Sequence, residues 1–66
     1  MILLEDLENA FLNIITAHKI YLNENSEYTK DTETLENIIY QEMKEKGEES
    51  KFFKIAKEND IEIKIN

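Results

Sequence analysis

The chain of 66 residues has no cysteine, proline, arginine or tryptophan, and it has one glycine and one histidine. Without cysteine, neither a disulfide nor a thiolate metal site can form. A single glycine cannot supply the tight turns of an all-β fold, and it excludes the glycine-rich loops that hold phosphates. Without arginine, bidentate recognition of phosphate or carboxylate is lost. These absences favour a helical fold and argue against nucleotide-binding motifs.

The charge is strongly acidic, with 15 aspartate and glutamate residues against 8 lysines and a net charge of −7. This field opposes phosphate groups, so we expect no direct binding to nucleic acid or to an anionic membrane. Residues 23–50 hold nine acidic residues and three lysines, a net charge of −6, whereas residues 51–66 have a net charge of +1. The middle of the chain is therefore the candidate acidic surface.

Length and the N-terminal pattern limit the organisation of the chain. A chain this short forms one domain with one small core, here residues 1–66. Met1–Leu4 is apolar, but Glu5 and Asp6 follow at once. The pattern lacks the basic segment and the long apolar run of a signal peptide or membrane span. We therefore expect a cytoplasmic protein.

Apolar residues recur every three or four positions from Leu3 to Leu22, which is the spacing of one helix face. The members of this face are Leu4, Leu7, Phe11, Ile14, His18 and Tyr21. We predict a first helix over residues 3–22. Asn23 or Asn25 can adopt the left-handed conformation that ends a helix.

A second helix is predicted over residues 32–46, with Asp31 or Thr29 as its N-cap. Its apolar stripe is formed by Leu35, Ile38, Ile39 and Met43, with Tyr40 on the flank. Gly47 stands where a glycine commonly ends a helix, and we favour a break there. The alternative is one long helix through Gly47, at a cost of about 1 kcal/mol for the glycine.

A third, shorter helix is predicted over residues 49–58, and strict alternation over residues 61–65 then predicts a strand. A strand needs a neighbour for its backbone groups, either Met1–Leu4 or another chain. The alternative is a frayed C-terminal tail. The predicted fold class is mainly α, a small domain of two or three helices. It is a helical hairpin plus a short third helix, with a possible short C-terminal β-strand.

Residues for catalysis or metal binding are sparse. His18 falls on the apolar face of the first helix, which favours a structural role. Neither Ser26 nor Ser50 lies in a nucleophile motif. A calcium loop starting at Asp31 would need glycine where Glu36 stands. We therefore predict that the protein is not an enzyme and has no catalytic residue, no metal site and no cofactor.

The candidate residues for binding a protein partner combine the acidic middle segment with one aromatic side chain. They are Tyr28, Glu36, Glu42, Glu45, Glu48 and Glu49. Tyrosine is enriched in interfaces because it buries a large area at low entropic cost. The carboxylates would steer association with a basic protein surface. For any single charged run, a solvated face that aids solubility is the simpler interpretation.

In composition alone, the chain resembles the small acidic inhibitors of phages and mobile elements, such as anti-CRISPR and anti-restriction proteins, some of which mimic DNA. The resemblance implies a protein-binding module that blocks a basic, nucleic-acid-binding surface of a host protein. For a phage-encoded chain it also implies the host-cell cytoplasm. The alternative is a small regulatory or antitoxin-like homo-oligomer, joined through the first helix or the C-terminal strand. A further alternative is a helical subunit of a larger assembly.

Overall fold

The computed structural model describes all 66 residues and contains three α-helices and no strand. Helix α1 spans Leu4–Asn23, α2 spans Thr29–Glu45 and α3 spans Glu49–Glu58. The first two helices form a hairpin, and α3 packs against it. The predicted fold class is confirmed, with α3 at its predicted bounds. None of the helices is long and apolar enough to cross a membrane.

The core lies where the three helices meet. The buried hydrophobic residues are Leu7, Phe11, Ile15, Ile39, Tyr40, Met43, Phe52 and Ala56. Phe11 of α1 stacks on Phe52 of α3, with ring centroids 4.4 Å apart. Tyr40 and Phe52 pack in a T-shaped arrangement, with ring centroids 5.2 Å apart. Aromatic contacts therefore join α3 to both helices of the hairpin.

All three helices end in the same way, with one residue in the left-handed conformation. These residues are Asn25, Gly47 and Asp60, with φ of 55°, 74° and 56°. After α2, Gly47 N–H donates to Lys44 C=O and Glu48 N–H donates to Met43 C=O, at 3.0 and 2.9 Å. These two bonds define a Schellman motif, and α1 and α3 end in equivalent pairs. The predicted break at Gly47 is confirmed.

The start of α2 differs from the prediction. The helix begins at Thr29, and Tyr28 occupies the N-cap position without a side-chain bond. The hydroxyl oxygen of Ser26 instead accepts a hydrogen bond from Tyr28 N–H at 3.1 Å. The predicted caps, Asp31 and Thr29, are wrong because both residues lie inside the helix. The connecting loop is correspondingly shorter than predicted.

The buried face of α2 is also rotated relative to the predicted stripe. Its buried residues are Thr32, Glu36, Ile39, Tyr40 and Met43. Leu35 and Ile38 are 46% and 53% exposed, so their predicted place in the core is wrong. Two polar residues, Thr32 and Glu36, take the positions that face α1. The helix therefore has a second apolar strip, Leu35 and Ile38, that is about half exposed to solvent.

The predicted strand at residues 61–65 is wrong for this chain. The segment is extended but pairs with no other strand, and Ile61, Ile63 and Ile65 pack against the core. The alternation thus arises from an extended segment lying on helices, with every second side chain turned inward. The alternative of a frayed tail is wrong as well, because the same three side chains are half-buried.

Candidate protein-binding surface

The outward face of α2, as we call it, consists of Asp31, Leu35, Ile38, Glu42 and Glu45. Their spacings of four, three, four and three residues align them along one side of a helix. Leu35 and Ile38 form an apolar centre, and the carboxylates stand at both ends. Asp31 and Glu45 are exposed and Glu42 is half-buried. The helix thus presents apolar area with an acidic border.

This outward face is not a cavity. Four depressions exist on the surface, and neither Leu35 nor Ile38 lines any of them. Small molecules are bound mostly in concave sites that cover most of their surface. The outward face therefore does not have the concave shape of a small-molecule site.

Glu36, a predicted partner-binding residue, does not lie on this surface. Its side chain is fully buried, and both carboxylate oxygens lie 2.8–2.9 Å from Nδ1 of His18. Burial raises the pKa of Glu36, while the hydrogen bond and the charge interaction with His18 oppose that rise. Its acidity therefore serves the contact between α1 and α2, and its assignment to the acidic surface is wrong.

Glu48 and Glu49 lie at the start of α3, after the break at Gly47. Both are half-buried, with Glu48 at the N-cap position and Glu49 in the first turn. The positive end of the helix dipole favours carboxylates there. The Schellman turn prevents Glu42, Glu45 and Glu49 from sharing one helix face. Of the predicted carboxylates, only Glu42 and Glu45 therefore belong to the outward face of α2.

Tyr28 is 54% exposed at the N-terminus of α2. Its ring leans on Tyr21 of α1, with ring centroids 5.7 Å apart and planes tilted by 54°. That contact fixes the ring while leaving about half of it open to solvent. Tyr28 is therefore one of the exposed aromatic side chains of the domain, at the loop end of the hairpin.

Asn37 was missed by sequence reasoning. Its side-chain Nδ2 donates to Lys64 C=O, and its Oδ1 accepts from Asn66 N–H, both at 2.8 Å. One amide thus binds two backbone groups of the C-terminal segment. Nothing in the sequence singled out Asn37, because its partners are 27 and 29 residues away.

Two charged contacts complete the electrostatics of the domain. Lys51 of α3 pairs with Glu8 of α1 at 2.8 Å, and this contact raises the pKa of Lys51. His18 and Glu36 form the buried pair. No group of three or more histidine and carboxylate side chains could hold a metal ion. No serine or threonine hydroxyl is hydrogen-bonded to His18, whose Nδ1 contacts only Glu36.

No protein-family model, curated protein or solved structure matches this chain.

Proposed function

We propose that the protein is a non-enzymatic binding module that blocks a basic surface of another protein, using the outward face of α2. The target surface is of the kind that binds nucleic-acid phosphates, as it would be for an inhibitor of anti-CRISPR or anti-restriction type. Tyr28 adds an aromatic contact at the loop end of the same helix.

The proposal rests on one observation. Leu35 and Ile38 are about half exposed, whereas Glu36, which lies between them in the sequence, is fully buried. Burying a carboxylate costs free energy, whereas burying leucine or isoleucine gains about 1.5–3 kcal/mol for each side chain. The helix cannot bury all of its apolar residues at once, because Ile39, Tyr40 and Met43 already fill its face toward the core and Leu35 and Ile38 are left on the outer side. The half-exposed pair Leu35 and Ile38 supports a role for this face in binding another protein.

The border of the strip indicates the charge of the partner. Asp31 and Glu45 are exposed and Glu42 is half-exposed, and no ion pair within the chain satisfies any of them. Complementary charge across an interface speeds association and excludes wrong partners. A partner with an apolar centre and lysine or arginine at its edge fits this face.

Affinity capture with the immobilised full chain tests the proposal, followed by affinity measurements on the captured protein. Two variants alter the face: Leu35→Ser with Ile38→Ser, and Glu42→Lys with Glu45→Lys. We expect each pair to weaken binding by about tenfold or more. Binding by the unmodified chain should also weaken as salt is raised.

The matched control is Glu27→Lys with Glu58→Lys, which changes the net charge equally at exposed positions away from the outward face. This control should retain the affinity of the unmodified chain at a given salt concentration. If it loses as much affinity as the Glu42 and Glu45 pair, the effect comes from net charge and not from this face. If neither altered pair weakens binding, the proposed surface is wrong.

A further inference from the structure

The extended C-terminal segment has one edge of its backbone bound within the chain. The side-chain amide of Asn37 on α2 binds Lys64 C=O and Asn66 N–H, both at 2.8 Å. In an extended chain, the N–H and C=O groups of alternate residues point to one edge, and those of the residues between them point to the other. Asn37 therefore occupies the edge formed by residues 62, 64 and 66.

The opposite edge, formed by residues 61, 63 and 65, has few partners. The N–H and C=O groups of Ile63 and Ile65 make no hydrogen bond within the chain, and only Ile61 N–H is bound, to Ala56 C=O. Beside this edge lies a depression of about 510 Å³, bordered on its far side by Phe53 and other residues of α3. A row of unpaired backbone groups is a template for a strand of another chain.

The sequence of the segment identifies a second copy of the chain as the strand that fits this edge. Residues 61–65 read Ile-Glu-Ile-Lys-Ile, so the apolar pattern is the same in both directions and the two charges have opposite signs. If two copies pair antiparallel about Ile63, Glu62 of each copy lies opposite Lys64 of the other. Opposite charges on directly opposed residues stabilise a strand pair. Both side chains are exposed and neither has an ion pair within the chain.

Other registers of the same edge bring like charges together. An antiparallel pair shifted by two residues in one direction sets Glu62 opposite Glu62 of the second copy, and a shift in the other direction sets Lys64 opposite Lys64. A parallel pair in register places both like pairs side by side. Like charges directly opposed destabilise a strand pair, so the charges select the register centred on Ile63.

We propose that the edge of residues 61, 63 and 65 pairs with the same edge of a second copy, antiparallel about Ile63. Ile63 N–H of each copy donates to Ile63 C=O of the other, and Ile65 N–H of each donates to Ile61 C=O of the other. Asn37 keeps both of its bonds because it lies on the opposite edge. The isoleucine side chains stay packed on the core of their own copy. This contact is separate from the outward face of α2 and does not depend on its function.

The dimer should be weak and should depend on salt. The contact is mainly between backbones and buries little apolar area, and each copy has a net charge of −7. Salt screens the long-range repulsion between two such copies more than it weakens opposite charges in contact. We therefore expect a monomer at low salt, and an equilibrium with the dimer at high protein concentration as the salt is raised.

Exchange of the two charges tests the contact by sedimentation equilibrium at one raised salt concentration. Glu62→Lys and Lys64→Glu each place like charges opposite one another and should weaken the dimer about tenfold. The double variant exchanges the charges, keeps the net charge of the unmodified chain and should restore the affinity. The single variants change the net charge in opposite directions, so net charge cannot explain a loss in both.

Cross-linking tests the register, because the chain has no cysteine of its own. The variants Glu62→Cys and Lys64→Cys are mixed in equal amounts in a glutathione redox buffer. Directly opposed residues between hydrogen-bonded pairs approach most closely, whereas two copies of position 62 would be about 7–8 Å apart, beyond the reach of a disulfide. We therefore expect about tenfold more disulfide between the two variants than within either one.

The control for location is Leu35→Ser with Ile38→Ser, which alters the outward face of α2 and should leave this dimer unchanged. If that control abolishes the dimer, the contact lies on α2 and the proposal is overturned. It is also overturned if the unmodified chain stays monomeric at every salt and protein concentration, or if exchanging both charges does not restore the affinity. Equal disulfide yields from all combinations of the two cysteine variants would exclude the register.

Discussion

His18 Nδ1 lies 2.8 Å from Glu36 Oε2, and the two side chains form a hydrogen-bonded pair in the interior of the domain. The pair joins the C-terminal part of α1 to the middle of α2. Each side chain is close to fully buried, so each depends on the other for its hydrogen bond. A buried pair of this kind adds little net stability over apolar side chains of similar volume, but removing one partner leaves the other buried without its hydrogen bond.

Replacing His18 by leucine should destabilise the fold strongly. The change leaves the Glu36 carboxylate buried without a donor, and breaking a buried pair from one side costs about 3–5 kcal/mol. Urea denaturation at pH 7 measures the loss. The double variant His18→Leu with Glu36→Met should recover much of it, because two apolar side chains then face each other. A double variant no more stable than the single one would contradict this account.

The His18→Leu variant should become more stable as the pH falls from 7 towards 5. The pKa of Glu36 already lies above its ordinary value of 4.5, and loss of His18 removes the two effects that lower it. An acid with a raised folded-state pKa destabilises the fold above that pKa, and the cost is relieved as the pH falls through it. The comparison is with His18→Leu plus Glu36→Gln, which lacks this carboxyl and should lack this gain.

Of the three residues that end a helix in the left-handed conformation, Gly47 should be the least tolerant of substitution. Alanine at this position should cost about 1 kcal/mol, because φ is 74° and L-residues disfavour that conformation. The cost is purely conformational, since an added Cβ would meet no atom within 4 Å. Asp60→Gly, in the equivalent position after α3, should leave the thermal midpoint unchanged or raise it. A similar loss from both changes would contradict the conformational explanation.

Phe52 and Phe53 are adjacent but should differ greatly in their contribution to stability. Phe52 is fully buried in contact with Phe11 and Tyr40, whereas Phe53 is 44% exposed. Phe52→Ala should cost about 3–5 kcal/mol, a large part of the stability of a small domain. Phe53→Ala should cost clearly less. Thermal unfolding followed by circular dichroism compares the two variants directly.

The spacing of apolar residues, together with the residues that commonly end helices, was sufficient to predict most of the fold. Gly47 and the asparagines after α1 are residues whose conformational preferences act locally, so the helix ends could be read from the sequence. The hydrogen bond from Tyr28 N–H to the Ser26 hydroxyl, at the start of α2, could not be predicted from the sequence. It depends on how the loop folds, and Thr29 and Asp31 were equally good local candidates for the cap.

The candidate site was harder to predict for a different reason. Hydrophobicity assigns Leu35 and Ile38 to the core and Glu36 to the surface, and the structure has them reversed. Glu36 shares the buried side of α2 with Ile39, Tyr40 and Met43, and its hydrogen-bond partner is His18 of α1, 18 residues earlier. The role of Asn37 likewise depends on a segment that is distant in sequence. Such pairings become visible only when the helices are packed together.

The acidic border of the outward face should also keep the protein from associating with itself through α2. If two copies met along this face in an antiparallel arrangement, Asp31 of one would approach Glu42 and Glu45 of the other. Like charges at an interface oppose association, so the unmodified chain should be monomeric at low salt. Analytical ultracentrifugation and light scattering measure this directly.

Replacing Glu42 and Glu45 by glutamine removes that repulsion and retains the side-chain volume. We therefore expect this variant to associate at lower protein concentrations than the unmodified chain, and Leu35→Ser with Ile38→Ser should reverse the effect. The control Glu27→Gln with Glu58→Gln changes the net charge equally but should stay monomeric. A stable dimer of the unmodified chain at low salt would instead favour the homo-oligomer, because it would show that the carboxylates do not prevent the contact.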